Sequence, residues 1–505
     1  MIPQRHKEHK VFFVDFVSLW EIFHQISYLC IIMLNDFLAT KITAHFPFTP
    51  TDEQHLLIEE LLAFLMSRQD MEVFVLKGFA GTGKTSVISA LVKTFVELQQ
   101  KCVLLAPTGR AAKVFSGYSG EKAFTIHKKI YRQKTTASDA YFSLAENLHK
   151  HTLFIVDEAS MIATYAGEGN NVFGTGCLLD DLIHYVYSGE GCRLLLVGDT
   201  AQLPPVMQQN SPALEKLKLE SYGLSVREFM LVKVLRQAEK SGILFNATAL
   251  RNRITEDKTH LFPFFQLHGF SDIERVSGEE LTDKINMAYD EVGLEDTIVI
   301  TRSNKRATIY SLGIRNRVLY KEDQITTGDL LMVTKNNYFW SEEYEGLDFI
   351  ANGDIAEVVR VRKFYDIYEL HFVDVTLRFL DYDMEIDARI LLDMLQTDTP
   401  AAVTALNKQL FSAVSEDYAE IRNSRERMKA MRKDPFLQAL QVKFAYAVTC
   451  HKAQGGQWKY VFIDQGQVSE EQLNIDYYRW LYTAVTRATE KVFLVNFSED
   501  FFTKR

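Results

Sequence analysis

The chain has 505 residues, 47% of them hydrophobic and 24% charged, with a formal net charge of −10. That length exceeds what one hydrophobic core organises and implies roughly two to four domains. The acidic balance excludes a global attraction to nucleic acid, so such a partner would need a local basic groove and would bind with salt-sensitive affinity. Five cysteines (Cys30, Cys102, Cys177, Cys192, Cys450) form no C-x-x-C pair. That argues against a disulfide framework or a zinc site and fits a reducing, cytoplasmic setting.

Residues 1–46 read as an N-terminal extension. Val11–Leu34 is strongly apolar, but Asp15, Glu21 and His24 interrupt it. The remainder, Gln25–Asn35, is far shorter than the roughly twenty residues of a membrane span, and no small-residue cleavage site follows. No membrane partner is expected, and the working part of the protein is expected to begin near Met33.

From Pro47 the rhythm is βα. Val73–Leu76, Cys102–Ala106, Leu153–Val156 and Arg193–Val197 have the length and bulk of buried parallel strands. Each ends in a polar loop: GTGKT, PTGRAAK, DEAS and GDTAQLPP. Ligand sites in open α/β sheets lie at the carboxyl ends of strands, so these loops are expected on one sheet edge.

The first loop is the most informative. GFAGTGKT (78–85) sits between an apolar run and the helix-like stretch Ser86–Leu98, the context of a phosphate-binding P-loop. Its glycines let backbone N–H groups curl around a polyphosphate at a helix N-terminus. Gly78, Ala80, Gly81, Thr82, Gly83, Lys84, Thr85 and Ser86 are therefore candidate nucleotide contacts. Lys84 is placed to reach the β/γ-phosphates and Thr85 to ligate Mg²⁺. Asp157-Glu158 closes a later strand and supplies a second metal anchor, Asp157, and a carboxylate, Glu158, to orient water. Gln202, in GDTAQ (198–202), is either a γ-phosphate sensor or part of a turn stiffened by Pro204-Pro205. Phosphoryl transfer needs cations against developing charge; Arg236 and Arg487 are the candidates, the alternative being surface arginines in ion pairs.

A second βα set follows: Thr297–Thr301, Ala445–Thr449, Val461–Asp464 and Val492–Val495, with a helix predicted over Tyr477–Thr489. Between its first two strands, residues 326–376 read as short strands of a small β-barrel. Residues 383–437 read as mostly helical, ending in the basic run 422–433, either a solvated helix face or a DNA contact.

In this order the motifs resemble those of superfamily 1 helicases, most closely the RecD-like, 5′→3′ superfamily 1B group, over roughly residues 47–497. PTDEQ (50–54) resembles the Q motif, GFAGTGKT motif I, APTGRAA (106–112) motif Ia, and TIH (125–127) the DNA-contacting segment after it. DEAS (157–160) resembles motif II, GDTAQLPPV (198–206) motif III, VLRQ (234–237) motif IV, AVTCHKAQGG (447–456) motif V and YTAVTRA (482–488) motif VI. The resemblance implies an α/β fold of two RecA-like P-loop parallel-sheet motor domains, 47–230 and 231–325 plus 438–505. It also implies a pin subdomain inserted at about 115–150 and a β-barrel with helices inserted at 326–437.

By the same resemblance, Gln54 would contact adenine, Gln202 would couple the γ-phosphate to DNA, and Arg236 and Arg487 would act as arginine fingers. Pro107, Thr108, Arg110, His127, Thr449, His451 and Lys452 would line a single-strand track, with Phe142 and Tyr141 as candidate tips of the pin and core packing the alternative for at least one of them. Motif V departs from the group at Gly456-Gln457, where the family usually has Ser-Glu; Gln457 stands where an acid would bind the ribose. The implied activity is a monomeric ATP- and Mg²⁺-dependent helicase acting on single-stranded DNA and duplex junctions. A P-loop ATPase or kinase without a nucleic-acid role would explain GTGKT and DEAS but not TCHKAQGG and YTAVTRA. A degenerate scaffold would not retain Lys84, Thr85, Asp157, Glu158 and Arg487, and no N-K-x-D segment marks a GTPase.

Overall fold

The computed structural model describes residues 33–134, 141–164, 173–234, 240–344, 347, 349–382 and 384–503. The apolar extension before Met33 and Arg236 lie outside them. No helix among the described residues is long and apolar enough to cross a membrane.

The first lobe opens with helices α1 (33–44) and α2 (Asp52–Met66). A capping box starts α2: the Thr51 hydroxyl accepts from the Gln54 N–H, and the Gln54 side chain accepts from Thr51. Then follow β1 (Glu72–Gly78), α3 (Lys84–Glu97), β2 (Cys102–Ala106), α4 (Gly109–Ser119), β3 (Ala123–Thr125), α5 (Ile126–Ile130) and the hairpin β4 (Tyr131–Lys134)–β5 (Tyr141–Leu144). The lobe closes with β6 (Leu153–Val156), α6 (Leu178–Tyr187), β7 (Arg193–Gly198), α7 (Lys216–Glu220) and β8 (Ser225–Leu231). Six strands form one parallel sheet in the order β3-β2-β6-β7-β1-β8. Continuous apolar runs make this possible: all four residues of β6 are buried, as strands covered on both faces require.

The second lobe contains α8 (Gly242–Thr255), β9 (Ile273–Val276), α9 (Leu281–Val292), β10 (Thr297–Thr301) and α10 (Asn304–Arg317). The chain then leaves for an antiparallel sheet built from β11 (Leu330–Val333), β12 (Ile355–Ile367), β13 (Leu370–Phe379) and β14 (Met384–Leu391). Helices α11 (Pro400–Asp417) and α12 (Ser424–Met431) follow, and β15 (Val442–Phe444) completes that sheet in the order β14-β13-β12-β11-β15. Its two ends approach through a bridge between Ile390 and Leu440. The chain returns through β16 (Ala447–Thr449), α13 (Cys450–Ala453), β17 (Trp458–Asp464), α14 (Ile475–Val485) and β18 (Ala488–Val495). The second parallel sheet runs β16-β10-β17-β18-β9. Two RecA-like sheets thus stand with their carboxyl edges across a common cleft.

Two expectations are corrected. The segment 115–150 is not one insertion: α4 and β3 belong to the first lobe, because Ala111, Ala112 and Phe115 are buried and β3 pairs in parallel with β2. The β4–β5 pair is a separate two-stranded sheet, with Tyr131 and Phe142 buried in the first lobe's core. Residues 384–391 are strand rather than helix: Ile386, Ala388 and Ile390 alternate inward, and β14 pairs along its whole length with β13. The antiparallel sheet leans on the first lobe. The Lys113 ammonium donates to the Leu380 carbonyl at 2.6 Å, and that of Lys128 lies 4.2 Å from the Tyr382 ring centroid.

Candidate active site and strand interface

The P-loop curls because Gly81 and Gly83 occupy left-handed backbone (φ +75° and +84°), and Gly83 is the N-cap of α3. The loop is tied from within. The Thr82 hydroxyl donates to the Phe79 carbonyl at 2.8 Å, and the Lys84 ammonium donates to the carbonyls of Gly78 and Phe79 at 2.7 and 2.9 Å. Ala80, Gly81, Gly83, Lys84, Thr85, Asp157, Glu158, Gln202, Gln457 and Arg487 share the walls of one cleft of about 340 Å³. Ser86 is half-buried in the first turn of α3 and does not line the cleft.

The acids are held in distinct ways. Asp157 accepts from the Tyr118 hydroxyl at 2.5 Å and from the Glu158 N–H at 2.8 Å, and burial, with Glu158 beside it, raises its carboxyl to about 6. Glu158 is in left-handed backbone (φ +52°), uncommon for a residue with a β-carbon and typical of strain stored at functional positions. Gln202 is only 6% exposed, and its amide oxygen has no partner among the described residues. A buried acceptor left open costs free energy unless a ligand donates to it.

The second lobe reaches into this cleft through α14. Arg487, 4% exposed, donates through Nε to the Thr483 carbonyl at 3.2 Å, and through Nη1 to the Gly456 carbonyl at 3.3 Å and Glu158 Oε1 at 3.5 Å. The Tyr482 hydroxyl donates to Asp199 Oδ2 at 2.7 Å and accepts from the Ala80 N–H of the P-loop at 2.8 Å. Leu203 N–H donates to the Thr483 hydroxyl at 2.9 Å, and the Gln454 amide donates to the Leu203 carbonyl at 2.7 Å. Motifs I, II, III, V and VI therefore meet in one polar seam. The sequence reading missed Tyr118, Asp199, Gln454, Tyr482 and Thr483. Their signal was a polar group on an otherwise apolar helix or at a strand end.

Several expected contacts lie elsewhere. Gln54 is fully buried, accepting from the Thr51 N–H at 3.0 Å and donating to the Thr82 carbonyl at 3.3 Å. Both ends of its amide are engaged, so it tethers the P-loop to α2 and does not face the cleft. Arg110 also departs from the expected strand track. Its guanidinium lies 4.3 Å from the Trp458 ring centroid and donates to the Gln457 carbonyl at 3.3 Å, so it clamps motif V across the cleft. Phe142 is 1% exposed, with ring centroids of Phe173 and Tyr338 each 4.9 Å away; it is core and not a pin tip. The side chain of Tyr141 lies outside the described residues, as does Arg236. His127 packs 5.1 Å from the Phe173 ring, and burial lowers its pKa to about 4, so it is neutral at physiological pH.

Other positions remain together. Thr108 caps α4, accepting from the Ala111 N–H at 3.2 Å, beside half-buried Pro107. A β-carbon on Gly455 would stand 2.7 Å from that of Ala111 and 3.3 Å from the Thr108 hydroxyl, so motifs Ia and V touch. His451 is exposed on α13, while Thr449 and Lys452 line a separate cavity in the second lobe.

Residues 51–262 match the model of an AAA domain, and residues 444–495 match that of a UvrD-like helicase C-terminal domain. The chain is 24% identical to an uncharacterized protein of Acanthamoeba polyphaga mimivirus, over 87% of this chain and 98% of that one. It is 31% identical to the ATP-dependent RecD2 DNA helicase of Deinococcus radiodurans over 38% of this chain, a stretch that is 24% of that longer protein. A Pif1 helicase from Bacteroides, solved with ADP-AlF3 and single-stranded DNA, aligns over 91% of this chain and 95% of its own at 14% identity, with a TM-score of 0.45.

Proposed function

From the premise that the chain is a RecD-like superfamily 1 P-loop motor, we propose that it hydrolyses ATP to move along single-stranded DNA, in the 5′→3′ direction, and opens duplexes ahead of it. One observation carries this reading: Arg487 of the second lobe reaches Glu158 of the first in the cleft lined by Lys84. A cleft closed by both lobes is one that nucleotide turnover opens and closes.

Bound triphosphate would draw the Lys84 ammonium off the Gly78 and Phe79 carbonyls onto the β/γ-phosphates, freeing the loop's backbone for the anion. Glu158 orients the attacking water, Arg487 stabilises charge on the transferred group, and the open acceptor of Gln202 accepts a hydrogen bond from that water. Thr85 and Asp157 present hard oxygens to the same cleft and fit Mg²⁺, which keeps several waters and takes few protein ligands. The ion would neutralise phosphate charge. Gln457 lines the cleft without a negative charge, which removes one means of selecting the nucleotide sugar.

Little sequence preference is expected, because strand tracking uses backbone contacts and stacking. The deciding experiment compares unwinding of duplexes with only a 5′ or only a 3′ tail, alongside ATPase with and without single strands. Preference for the 3′ tail refutes the direction. An ATPase indifferent to DNA refutes the motor and favours a P-loop ATPase of another kind, and a Lys84→Ala variant that hydrolyses normally refutes the site.

A further inference from the structure

The antiparallel sheet meets the first lobe through two carboxylates set against the start of α4. Asp354 directly precedes β12, and Asp381 follows the end of β13. A β-carbon on Gly109, the first residue of α4, would lie 3.1 Å from Asp354 Oδ1 and 3.4 Å from Asp381 Oδ2. Asp354 is 2% exposed, and its Oδ2 accepts from the Ala351 N–H at 2.8 Å and from the Tyr382 hydroxyl at 3.0 Å. Both oxygens of Asp381 are buried, and neither has a hydrogen-bond partner among the described residues.

Three cations stand nearby, and each is engaged elsewhere. Arg110 lies over the Trp458 ring and donates to the Gln457 carbonyl, Lys113 donates to the Leu380 carbonyl, and Lys128 lies against the Tyr382 ring. An ionised carboxylate taken out of water without bonds of its own costs more than counter-charges at a distance return. The acids reflect that balance. Burial raises the Asp381 carboxyl above the usual range against the pull of Arg110, Lys113 and Lys128. Burial also raises Asp354 to about 6; Lys128, the Ala351 N–H and Tyr382 oppose the rise, and Asp381 adds to it.

We propose that Asp354 and Asp381 are a release for the antiparallel sheet: ionised, they loosen its seat on α4, and protonated, they let it settle there. This seating is independent of the motor reading, since it concerns only how the insertion rests on the first lobe. A carboxyl whose pKa is higher seated than free holds its proton more firmly when seated. Seating therefore strengthens as pH falls through about 6 and is weakest above that value. Release returns Lys113 and Lys128 to water, which gives this acidic chain a local cationic surface.

The test is hydrogen exchange of the full chain, read by mass spectrometry. Protection around Gly109 and Leu380, corrected for the intrinsic effect of pH on exchange, is followed from about pH 7.5 to about pH 5.5. Wild type is compared with Asp381→Asn and with Asp354→Asn/Asp381→Asn, and β17 serves as the internal reference. In wild type, protection at both segments should rise about fourfold over that interval, taking about 6 for seated Asp354 and about 3.9 for the free residue. In the double variant it should be flat, and no lower than the highest wild-type value. Asp381→Asn gives up no hydrogen bond, so it should fold and melt no lower than wild type, and its protection at the upper pH should already exceed that of wild type. Wild-type protection that ignores pH overturns the proposal. So does an Asp381→Asn variant that is protected no better than wild type at the upper pH. Faster exchange in that variant identifies the acids instead as a clasp onto Arg110, Lys113 and Lys128. If the double variant does not fold, Asp381→Asn and the wild-type pH series decide by themselves.

Discussion

Replacing Tyr482 with phenylalanine removes one oxygen atom from the seam between the lobes and leaves the ring in place. That oxygen donates to Asp199 Oδ2 at 2.7 Å and accepts from the Ala80 N–H at 2.8 Å, and Tyr482 and Asp199 are each 1% exposed. A hydrogen bond to a charged partner contributes about 1.5–3 kcal/mol, and one to a backbone amide about 1 kcal/mol. Their loss therefore disfavours the closed cleft by about 3 kcal/mol, which is about a hundredfold in the closed-to-open ratio. Each lobe keeps its own core, so the thermal transition should move little.

The assay is steady-state ATP hydrolysis at saturating single-stranded DNA, where the expected loss in kcat is about a hundredfold if closure is required for each turnover. A second readout is the acid limb of the pH profile. Burial already raises the Asp199 pKa, and donation from Tyr482 opposes that rise. Without the donor the carboxyl protonates at higher pH, so the acid limb moves upward. A kcat within threefold of wild type, with an unmoved acid limb, refutes the idea that this bond couples the P-loop to the second lobe.

Gly455→Ala places a β-carbon 2.7 Å from that of Ala111 at φ +73°. DNA-stimulated hydrolysis should fall at least tenfold (~1.4 kcal/mol), with DNA-free nucleotide binding changed much less. Arg110→Ala loses its seat over Trp458, so it should weaken DNA stimulation while leaving the salt slope of DNA binding unchanged; a slope lower by about 0.7 would restore Arg110 to the strand track. Arg487→Lys keeps a charge but not the planar donors facing Glu158 and Gly456, and kcat should fall by about 10³ with nucleotide affinity within a few-fold. His127 has its pKa lowered by burial to about 4, against about 6.5 in an unfolded chain. Its contribution to stability is complete above pH 6.5 and lost as pH falls toward 4, up to about 3 kcal/mol, so urea midpoints of His127→Phe should fall less steeply over that interval.

What could be read from the chain followed the range of the forces involved. The buried strands Leu153–Val156 and Thr297–Thr301 coincide with the observed ones, since a strand covered on both faces needs only local apolarity. Strand β8 escaped notice because Arg227 and Glu228 stand in its middle, and Arg227 is neutralised by Glu72 of the neighbouring β1. Phe142 could not be assigned to tip or core from the sequence for a similar reason. An aromatic residue beside a turn looks like an exposed tip until Tyr338 and Phe349, some two hundred residues later, cover it.

The seam shows this limit most clearly, because its hydrogen bonds join residues far apart in sequence: Ala80 to Tyr482 across 402 positions, and Leu203 to Thr483 across 280. Motif patterns identify which residues carry polar groups, but not that those groups are occupied with one another. Lys84 rests on two carbonyls, Arg487 on two more and on Glu158, and Tyr482 bridges Asp199 and Ala80. A triphosphate entering this cleft must therefore exchange existing bonds for new ones on both lobes at once. The bonds of Tyr482 to Ala80 and Asp199 and of Arg487 to Glu158 cross between the lobes, so an exchange at any of them weakens what holds the sheets in this position.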